Sequence, residues 1–339
     1  MNKVNVAILG ATGVVGEALL EILESRRFPV DELFLLASER SAGQTVRFNN
    51  KSYYVEDAAE FDFSKADIAF FSAGGNVSEH YVPIATRLGC VVIDNTAQFR
   101  YEPDVPLVIP EVNPEKIEEF KVRNLIANPN CSTIQMLVAL YPIHKVAQIK
   151  RINVATYQSV SGKGRSAINE LSHQTVELLN GRHAEPAVFT KPIAFNVIPH
   201  IDQFQDNGFT KEEMKMIWET KKILGTDAIG VNPTCARVPV FFGHSEAIHI
   251  ETEKKLTAQD ARRILEQAPG IKILDNPSKN LYPCPVNHAT GEDAVYIGRI
   301  REDLSHPNGL DLWVVADNIR KGAALNSVQI AEILVRDYL

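Results

Sequence analysis

Cys131 stands at a predicted helix start, which is the strongest chemical signal in this chain. Leu125–Ala127 is a short apolar run typical of a strand, and residues 134–140 are typical of a helix. Asn130 is a residue type that caps helices. The positive end of the helix dipole lowers a thiol pKa and favours the thiolate, so the pattern predicts a nucleophile. The other cysteines lack this setting: Cys90, Cys235 and Cys284.

A thiolate beside a nicotinamide cofactor has a specific chemistry. It adds to an aldehyde to give a thiohemiacetal, hydride loss to the cofactor gives a thioester, and water or phosphate cleaves that thioester. The reaction needs a histidine base nearby. The chain has nine histidines, and the residue pattern alone leaves the choice among them open.

A cofactor site is predicted near the N-terminus, where a strand, a glycine-rich turn and a helix follow one another within residues 4–23. Gly10 permits a tight turn, Gly13 lets a pyrophosphate approach the backbone, and Gly16 lets the helix pack against the strand. The spacing is GxxGxxG rather than the common GxGxxG, so a purely structural turn is the alternative. We assign these residues to the cofactor: Gly10, Thr12, Gly13, Val14 and Val15.

The end of the second predicted strand bears on the choice between NAD and NADP. An NAD-selective fold usually places a carboxylate there for the ribose 2′-hydroxyl. Ser38, Arg40 and Ser41 follow this strand, and a guanidinium with two hydroxyls suits a 2′-phosphate. Glu39 keeps NAD as the alternative, but we predict NADP.

The rest of the first 130 residues alternates strand-like runs with helical segments. Residues 68–71 and 91–93 each lead into a loop of small or polar residues, and residues 77–88 have helical spacing. This alternation predicts an α/β fold with a Rossmann-like, doubly wound parallel sheet. Ligands bind such sheets at the carboxyl ends of the strands.

Composition excludes several classes of function. The chain has 339 residues, of which 45% are apolar and 23% charged, as expected for about two globular domains. The net charge of −7 argues against nucleic-acid binding. We expect no membrane span, because no run of about 18 apolar residues occurs, and no metal site, because no CxxC pair occurs. We expect no signal peptide, because the N-terminal residues are strand-like and no basic region precedes a cleavable apolar stretch. A reducing cytoplasm is the expected location.

Two segments are similar to one known family. Residues 130–133 (NCST) resemble the nucleophile loop of aspartate-semialdehyde dehydrogenases, and residues 231–245 (VNPTCARVPVFFGHS) resemble that family's signature stretch. The resemblance extends over nearly the whole chain. It implies NADP(H)-dependent interconversion of L-4-aspartyl phosphate with L-aspartate-4-semialdehyde and phosphate. This reaction lies on the route to lysine, threonine, methionine and diaminopimelate.

The resemblance also implies roles for individual residues. Cys131 would form the acyl thioester, Gln158 would align the carbonyl group, and His244 would take the thiol proton and protonate the developing alkoxide. Arg237 would bind the substrate α-carboxylate and Arg100 the phosphate, since a guanidinium matches both anions.

Five further residues complete the site. Residues 210–213 have the form of a capping box, and on the helix that follows the resemblance assigns Glu212 to the substrate amino group and Lys215 to the phosphate. A solvated surface pair is the alternative, and we expect Glu213 to be a surface residue. The resemblance places these residues near the nicotinamide: Ser161, Gly162 and Asn318.

We therefore predict a discontinuous NADP-binding domain, 1–130 plus 318–339, and a second α+β domain with a mixed sheet, 131–317. The resemblance implies that this second domain carries catalysis and forms a homodimer with a second copy. The expected partners are small-molecule substrates, with no nucleic acid and no membrane.

Two alternatives remain open. N-acetyl-γ-glutamyl phosphate reductase shares the thiol chemistry and the cofactor, but Glu212 facing an ammonium argues against it. A non-catalytic NADP-binding paralogue is the second alternative. Glyceraldehyde-3-phosphate dehydrogenase is disfavoured, because the Ser-Cys-Thr-Thr pattern of that family is missing around Cys131.

Overall fold

A computed structural model describes residues 2–339, which form two units with one sheet each. The strands are β1 (Val4–Leu9), β2 (Val30–Ala37), β3 (Thr45–Phe48), β4 (Lys51–Asp57), β5 (Ile68–Phe71), β6 (Val91–Asp94), β7 (Leu125–Ala127), β8 (Ile149–Gln158), β9 (Gly230–Arg237), β10 (His244–Thr252), β11 (Ile271–Ile273), β12 (Val295–Glu302) and β13 (Gly309–Ala316). The α-helices are α1 (Val14–Ser25), α2 (Gly75–Arg87), α3 (Cys131–Ala147), α4 (Arg165–Leu179), α5 (Lys211–Leu224), α6 (Ala258–Glu266) and α7 (Leu325–Asp337). Among residues 2–339, every helix is too short or too polar to cross a membrane.

The first unit comprises the chain up to Asn130 together with Ala323–Leu339. Its sheet has the strand order β3-β4-β2-β1-β5-β6-β7, in which only the edge strand β3 runs antiparallel to its neighbour. Strands β5 and β6 are buried along their whole length, as expected when helices cover both faces of a parallel sheet. The predicted Rossmann-like sheet is thereby confirmed.

Helix α7 belongs to the core of the first unit and is anchored there by two buried polar residues. Asn326 Nδ2 donates hydrogen bonds to Asn128 Oδ1 at 2.7 Å and to the Val108 carbonyl at 3.0 Å. Ser327 Oγ donates to Asn95 Oδ1 at 2.9 Å. Because Asn128 lies on the segment that leads into α3, these contacts fix the backbone that precedes Cys131.

The second unit comprises Cys131–Gly322, so that residues 318–322 belong to it. Its sheet has the order β11-β12-β13-β10-β8-β9. The pairs β8–β9 and β11–β12 are parallel and the other pairs are antiparallel. The predicted α+β unit with a mixed sheet is confirmed. Helix α3 packs against β8, β10 and β13, and α5 packs against β9.

Two helix starts agree with the sequence patterns. Helix α3 begins at Cys131. Helix α5 is capped by Thr210, which accepts from the Glu213 N–H, while the Glu213 carboxylate accepts from the Thr210 N–H at 2.7 Å. The expectation that Glu213 is a surface residue is wrong, because its other oxygen accepts from the Cys235 N–H at 2.9 Å and the side chain is buried.

Candidate active site

Three residues predicted to be catalytic or substrate-binding meet at one end of the second sheet. Strands β8 and β9 are parallel and end together, with Gln158 paired to Arg237. Strand β10 runs in the opposite direction and begins at His244 at this same end, one residue before the pair Ser245–Tyr157. All three side chains are buried. The mixed topology therefore collects an amide, a guanidinium and an imidazole from distant parts of the sequence.

Cys131 lies beside this group, at the first residue of α3. A Cβ placed on Gly322 would lie 2.8 Å from the Cβ of Cys131 and 3.7 Å from that of Asn318, so both residues border Gly322. Negative charge on the Cys131 sulfur favours the charged form of Arg237, which places the guanidinium within electrostatic reach of the thiol. Cys131 as a residue is only partly buried, as expected for a nucleophile that a substrate must reach.

His244 is completely enclosed by protein and is held through one ring nitrogen. Its Nδ1 accepts a hydrogen bond from the Ser159 N–H at 3.1 Å and lies 3.0 Å from the Ser159 hydroxyl. Burial, with the positive charge of Arg237, lowers the pKa of His244 to about 3. The ring is therefore neutral at ordinary pH.

Arg237 is fixed by a hydrogen bond from its Nη1 to the Ser159 carbonyl oxygen at 2.7 Å. Burial lowers its pKa, and the nearby Glu212 carboxylate opposes this. A Cβ on Gly162 would lie 3.0 Å from the same Nη1 and 3.3 Å from His244 Nε2. A glycine at this position thus leaves open the space that the guanidinium and the ring both border.

Glu212 and Lys215 form a largely buried ion pair on α5 rather than a solvated surface pair. Lys215 Nζ donates to Glu212 Oε2 at 3.0 Å and to Asp202 Oδ2 at 2.8 Å. Burial disfavours the charged form of Lys215, but the two carboxylates outweigh it and raise its pKa. Gln158 Nε2 donates to Glu212 Oε1 at 3.2 Å, so the amide and the carboxylate border the same space.

The three residues assigned to the nicotinamide also lie in the second unit, next to His244. Ser161 and Asn318 are buried and are joined by a hydrogen bond of 3.0 Å from Asn318 Nδ2 to Ser161 Oγ. Asn318 Oδ1 accepts from the Gly243 N–H at 2.9 Å. Gly162 follows Ser161 on the short helical turn after β8.

The glycine-rich turn of the first unit has the form that a bound pyrophosphate requires. Gly10 has a φ of +96°, and a Cβ on Gly16 would overlap the Gly10 carbonyl oxygen, so neither position accepts a side chain. Gly13 is exposed immediately before α1, where backbone N–H groups and the helix dipole favour an anion. Its neighbours in the turn are partly exposed: Thr12, Val14 and Val15.

The segment after β2 is a single 3₁₀ turn, Glu39–Ser41, that leaves its charged groups in solvent. Arg40 is exposed and makes no hydrogen bond or ion pair with any residue of the range 2–339. Ser38 and Ser41 lie on either side of it, and the Ser41 N–H donates to the Ser38 carbonyl at 2.8 Å. A guanidinium and two hydroxyls thus remain accessible to a phosphate.

Arg100 is the predicted phosphate-binding residue that lies in the first unit. It is buried, and its Nη2 donates to the Asn95 carbonyl oxygen at 2.8 Å. Asn95 is in turn held by Ser327 of α7. Within residues 2–339 no group of three or more histidine, cysteine or carboxylate side chains could hold a metal ion.

Sequence reasoning missed two features of the site. Ser159 follows Gln158 directly, and its backbone and hydroxyl hold His244 and Arg237. Glu246 is completely buried two residues after His244, on the same face of β10. Because side chains alternate between the two faces of a strand, the position of Glu246 two residues after His244 was a signal that both lie on the same face. No local pattern marks Ser159.

Two family models match most of this chain. The model for "Semialdehyde dehydrogenase, NAD binding domain" matches residues 5–120, and that for "Semialdehyde dehydrogenase, dimerisation domain" matches residues 140–321. An aspartate-semialdehyde dehydrogenase of Shewanella violacea is 63% identical over 98% of both chains.

Two solved structures are also similar. Aspartate semialdehyde dehydrogenase II of Vibrio cholerae, complexed with ASA, has a TM-score of 0.98 and 60% identity, covering 100% of both chains. The Candida albicans enzyme with NADP has a TM-score of 0.76 and 28% identity, covering 98% of this chain and 99% of that one.

Proposed function

Because the chain belongs to the semialdehyde dehydrogenase family, we propose that it catalyses the aspartate-semialdehyde dehydrogenase reaction. The reaction is the reductive dephosphorylation of L-4-aspartyl phosphate to L-aspartate-4-semialdehyde, and its reverse. The observation that carries the proposal is the grouping of Gln158, Arg237 and His244 at one sheet end, with Cys131 at a helix start next to Gly322, which Asn318 also borders. The product serves the biosynthesis of lysine, threonine, methionine and diaminopimelate.

The proposed cofactor is NADP(H), which when bound supplies the hydride for reduction or accepts it in the reverse direction. The Gly10–Gly16 turn and the start of α1 fit its pyrophosphate. Arg40, with Ser38 and Ser41, fits the 2′-phosphate that distinguishes NADP from NAD. We assign Ser161, Gly162 and Asn318 to the nicotinamide end.

Cys131 is proposed as the nucleophile. Its thiolate attacks the acyl carbon, phosphate leaves, and a thioester on Cys131 results. The start of α3 and the positive charge of Arg237 both favour the thiolate. Gln158 would hold the carbonyl group in line for attack.

His244 is proposed as the acid/base residue that faces the reacting oxygen. Its Nδ1 is occupied by Ser159, so Nε2 is the nitrogen that can exchange a proton or a hydrogen bond with substrate. Because the Ser159 N–H donates to Nδ1, the neutral ring would carry its proton on Nε2, which suits stabilisation of the developing alkoxide. We therefore assign stabilisation of the thiolate chiefly to Arg237 and the helix start.

The substrate-binding residues match the charges of aspartyl phosphate. Arg237 would bind the α-carboxylate and Glu212 the α-ammonium group, while Lys215 and Arg100 would bind the phosphate. The largely buried pair of Glu212 and Lys215 supports this assignment, because it places a carboxylate and an ammonium next to Gln158, and the substrate carries both charges.

We propose that two copies form a homodimer through one face of the second sheet, which carries Ala247 and Trp313 and is here called the outer face. The family model for this unit is described as a dimerisation domain. The face carries a cavity of about 610 Å³ whose lining includes Ala247, Tyr282 and Trp313. Tyr282 is 44% exposed there, and a second copy would cover it. Since a thiolate nucleophile requires a reducing compartment, we propose the cytoplasm as the location.

One assay tests the proposed reaction. The purified protein should reduce NADP in the presence of aspartate semialdehyde, and the rate should depend on phosphate. Turnover only with N-acetylglutamate semialdehyde would instead identify the N-acetyl-γ-glutamyl phosphate reductase reaction. A folded protein that turns over neither substrate would support the non-catalytic alternative and overturn the proposal.

A further inference from the structure

We propose that Ser159 and Asn318 are positioning residues that keep the proton of His244 on Nε2, so that the ring meets the reacting oxygen as a neutral hydrogen-bond donor. The inference rests on the proposed function, because it concerns how His244 takes part in that reaction. In this proposal His244 donates a hydrogen bond to the reacting oxygen and keeps its proton.

The first support is the contact between His244 and the backbone of Ser159. The Ser159 N–H donates to Nδ1 at 3.1 Å. A backbone N–H can only donate, so Nδ1 must be the unprotonated nitrogen of the ring. In a neutral imidazole the other nitrogen, Nε2, then carries the proton. Turning the ring over would bring a C–H against the Ser159 N–H and lose the hydrogen bond.

The second support is a chain of side chains that ends on the same nitrogen. Asn318 Nδ2 donates to Ser161 Oγ at 3.0 Å. Ser161 Oγ lies 3.1 Å from Ser159 Oγ, which lies 3.0 Å from His244 Nδ1. Donation in this order delivers a second hydrogen bond to Nδ1. The alternative is donation by the Ser159 and Ser161 hydroxyls to Asn318 Oδ1, at 3.0 and 3.2 Å. The Ser159 N–H donates to Nδ1 in either arrangement, so both give the same tautomer.

Asn318 begins this chain with a fixed orientation. Its Oδ1 accepts from the Gly243 N–H at 2.9 Å, one residue before His244. This contact identifies Oδ1, so the amide nitrogen is the atom that donates to Ser161 Oγ, while Oδ1 also lies within hydrogen-bonding distance of both serine hydroxyls. Asn318 consequently holds both serine hydroxyls beside Nδ1, and within residues 2–339 it acts on the imidazole through Ser159 rather than through a hydrogen bond of its own.

The Nε2 side of the His244 ring faces the space in which we propose that substrate binds. His244 Nε2 is buried and makes no hydrogen bond within residues 2–339. It borders the space at Gly162, as does Arg237 Nη1. A buried N–H without an acceptor is destabilising. A substrate oxygen held between the ring and the guanidinium would supply that acceptor.

Electrostatics keep the ring in this neutral state. The charged neighbours are Arg237, which opposes protonation, and Glu212, which favours it, while burial is the dominant influence. Acyl transfer does not require an imidazolium. When the Cys131 thiolate forms the C–S bond, the carbonyl electron pair moves to oxygen, where the Nε2 proton hydrogen-bonds to it. When the C–O bond to phosphate breaks, the carbonyl re-forms, and water supplies the proton that the departing phosphate needs.

The direct test is ¹⁵N NMR of the unliganded protein with labelled histidine, where His244→Gln identifies the His244 signals. We expect the Nε2–H tautomer, unchanged between about pH 5 and about pH 9, because the pKa is lowered to about 3. An Nδ1–H tautomer, or an imidazolium at neutral pH, would overturn the proposal. This readout needs no turnover, so it can fail or succeed independently of the proposed reaction.

Variants test the two positioning residues. Ser159→Ala and Asn318→Ala should each lower kcat about tenfold or more, the scale of one lost hydrogen bond, with little change in KM for the semialdehyde. Both variants keep the Ser159 N–H and remove only side-chain contacts, so each should add a minor population of Nδ1–H tautomer to the NMR spectrum rather than invert it. Ser159→Thr should restore both kcat and the tautomer. Ser166→Ala, at an exposed serine nearby, is the matched control. Loss of kcat with an unaltered tautomer would refute the positioning role.

Discussion

The protonation state of Glu246, which lies two residues after His244 on β10, can be tested quantitatively through its effect on stability. It is completely buried, and burial raises the pKa of its carboxyl well above the ordinary value, although the Gln135 carboxamide opposes this. The folded protein therefore holds a protonated Glu246 at a pH where the unfolded chain has an ionised one. Unfolding releases a proton, so stability falls as pH rises above the unfolded pKa of about 4.3.

The magnitude follows from this linkage. One group that releases a full proton on unfolding changes the free energy of unfolding by about 1.4 kcal/mol per pH unit. Glu246→Gln keeps the shape of the side chain but has no proton to release. Between pH 5.5 and 7.5, the free energy of unfolding of the variant should rise by up to about 2.7 kcal/mol relative to that of the parent protein.

The assay is urea unfolding followed by tryptophan fluorescence at several pH values. Both tryptophans, Trp218 and Trp313, lie in the second unit, so the signal reports the unit that contains Glu246. Glu251→Gln, at a partly exposed position of the same strand, is the matched control and should leave the pH dependence unchanged. If the free energies of unfolding of Glu246→Gln and of the parent protein changed equally with pH, a protonated Glu246 would be refuted.

Three further substitutions test other assignments. Arg40→Ala should weaken NADP binding much more than NAD binding in a fluorescence titration, whereas equal loss would mean that the 2′-phosphate is bound elsewhere. Arg237→Lys should lower kcat/KM for the semialdehyde about 10- to 100-fold, because an ammonium cannot replace two parallel hydrogen bonds to a carboxylate; unchanged steady-state kinetics would exclude the carboxylate role. Ala247→Arg places a charge in the cavity of the outer sheet face and should give a folded monomer in light scattering, while a persistent dimer would assign the interface to another surface.

The features that could be predicted from sequence depend on local patterns. The strand, glycine turn and helix at the N-terminus, the start of α3 at Cys131 and the capping box of α5 are each specified within about ten residues. The periodic burial of residues in strands and helices, the turns that glycine permits and the capping of helices all act over such distances. The resemblance to a family then supplied the roles of residues that no local pattern distinguishes, such as Gln158.

The features that sequence analysis missed depend on pairing across the fold. Glu213 is buried because its second oxygen binds the backbone of Cys235, which is 22 residues away. The contact of Ser159 with His244 spans 85 residues, and that with Asn318 spans 159. Such contacts are set by strand register and by the path of the loops, which a single sequence does not reveal.

The central claim is that the reaction passes through a thioester on Cys131, and trapping it is the most direct test. Protein mixed with aspartyl phosphate in the absence of NADPH, quenched in acid and digested, should carry an aspartyl adduct on the peptide that contains Cys131. Cys131→Ser should lose this thioester adduct and lower turnover by orders of magnitude while binding NADPH nearly as before. An adduct on Cys90, Cys235 or Cys284 instead, or wild-type turnover by Cys131→Ser, would contradict the account.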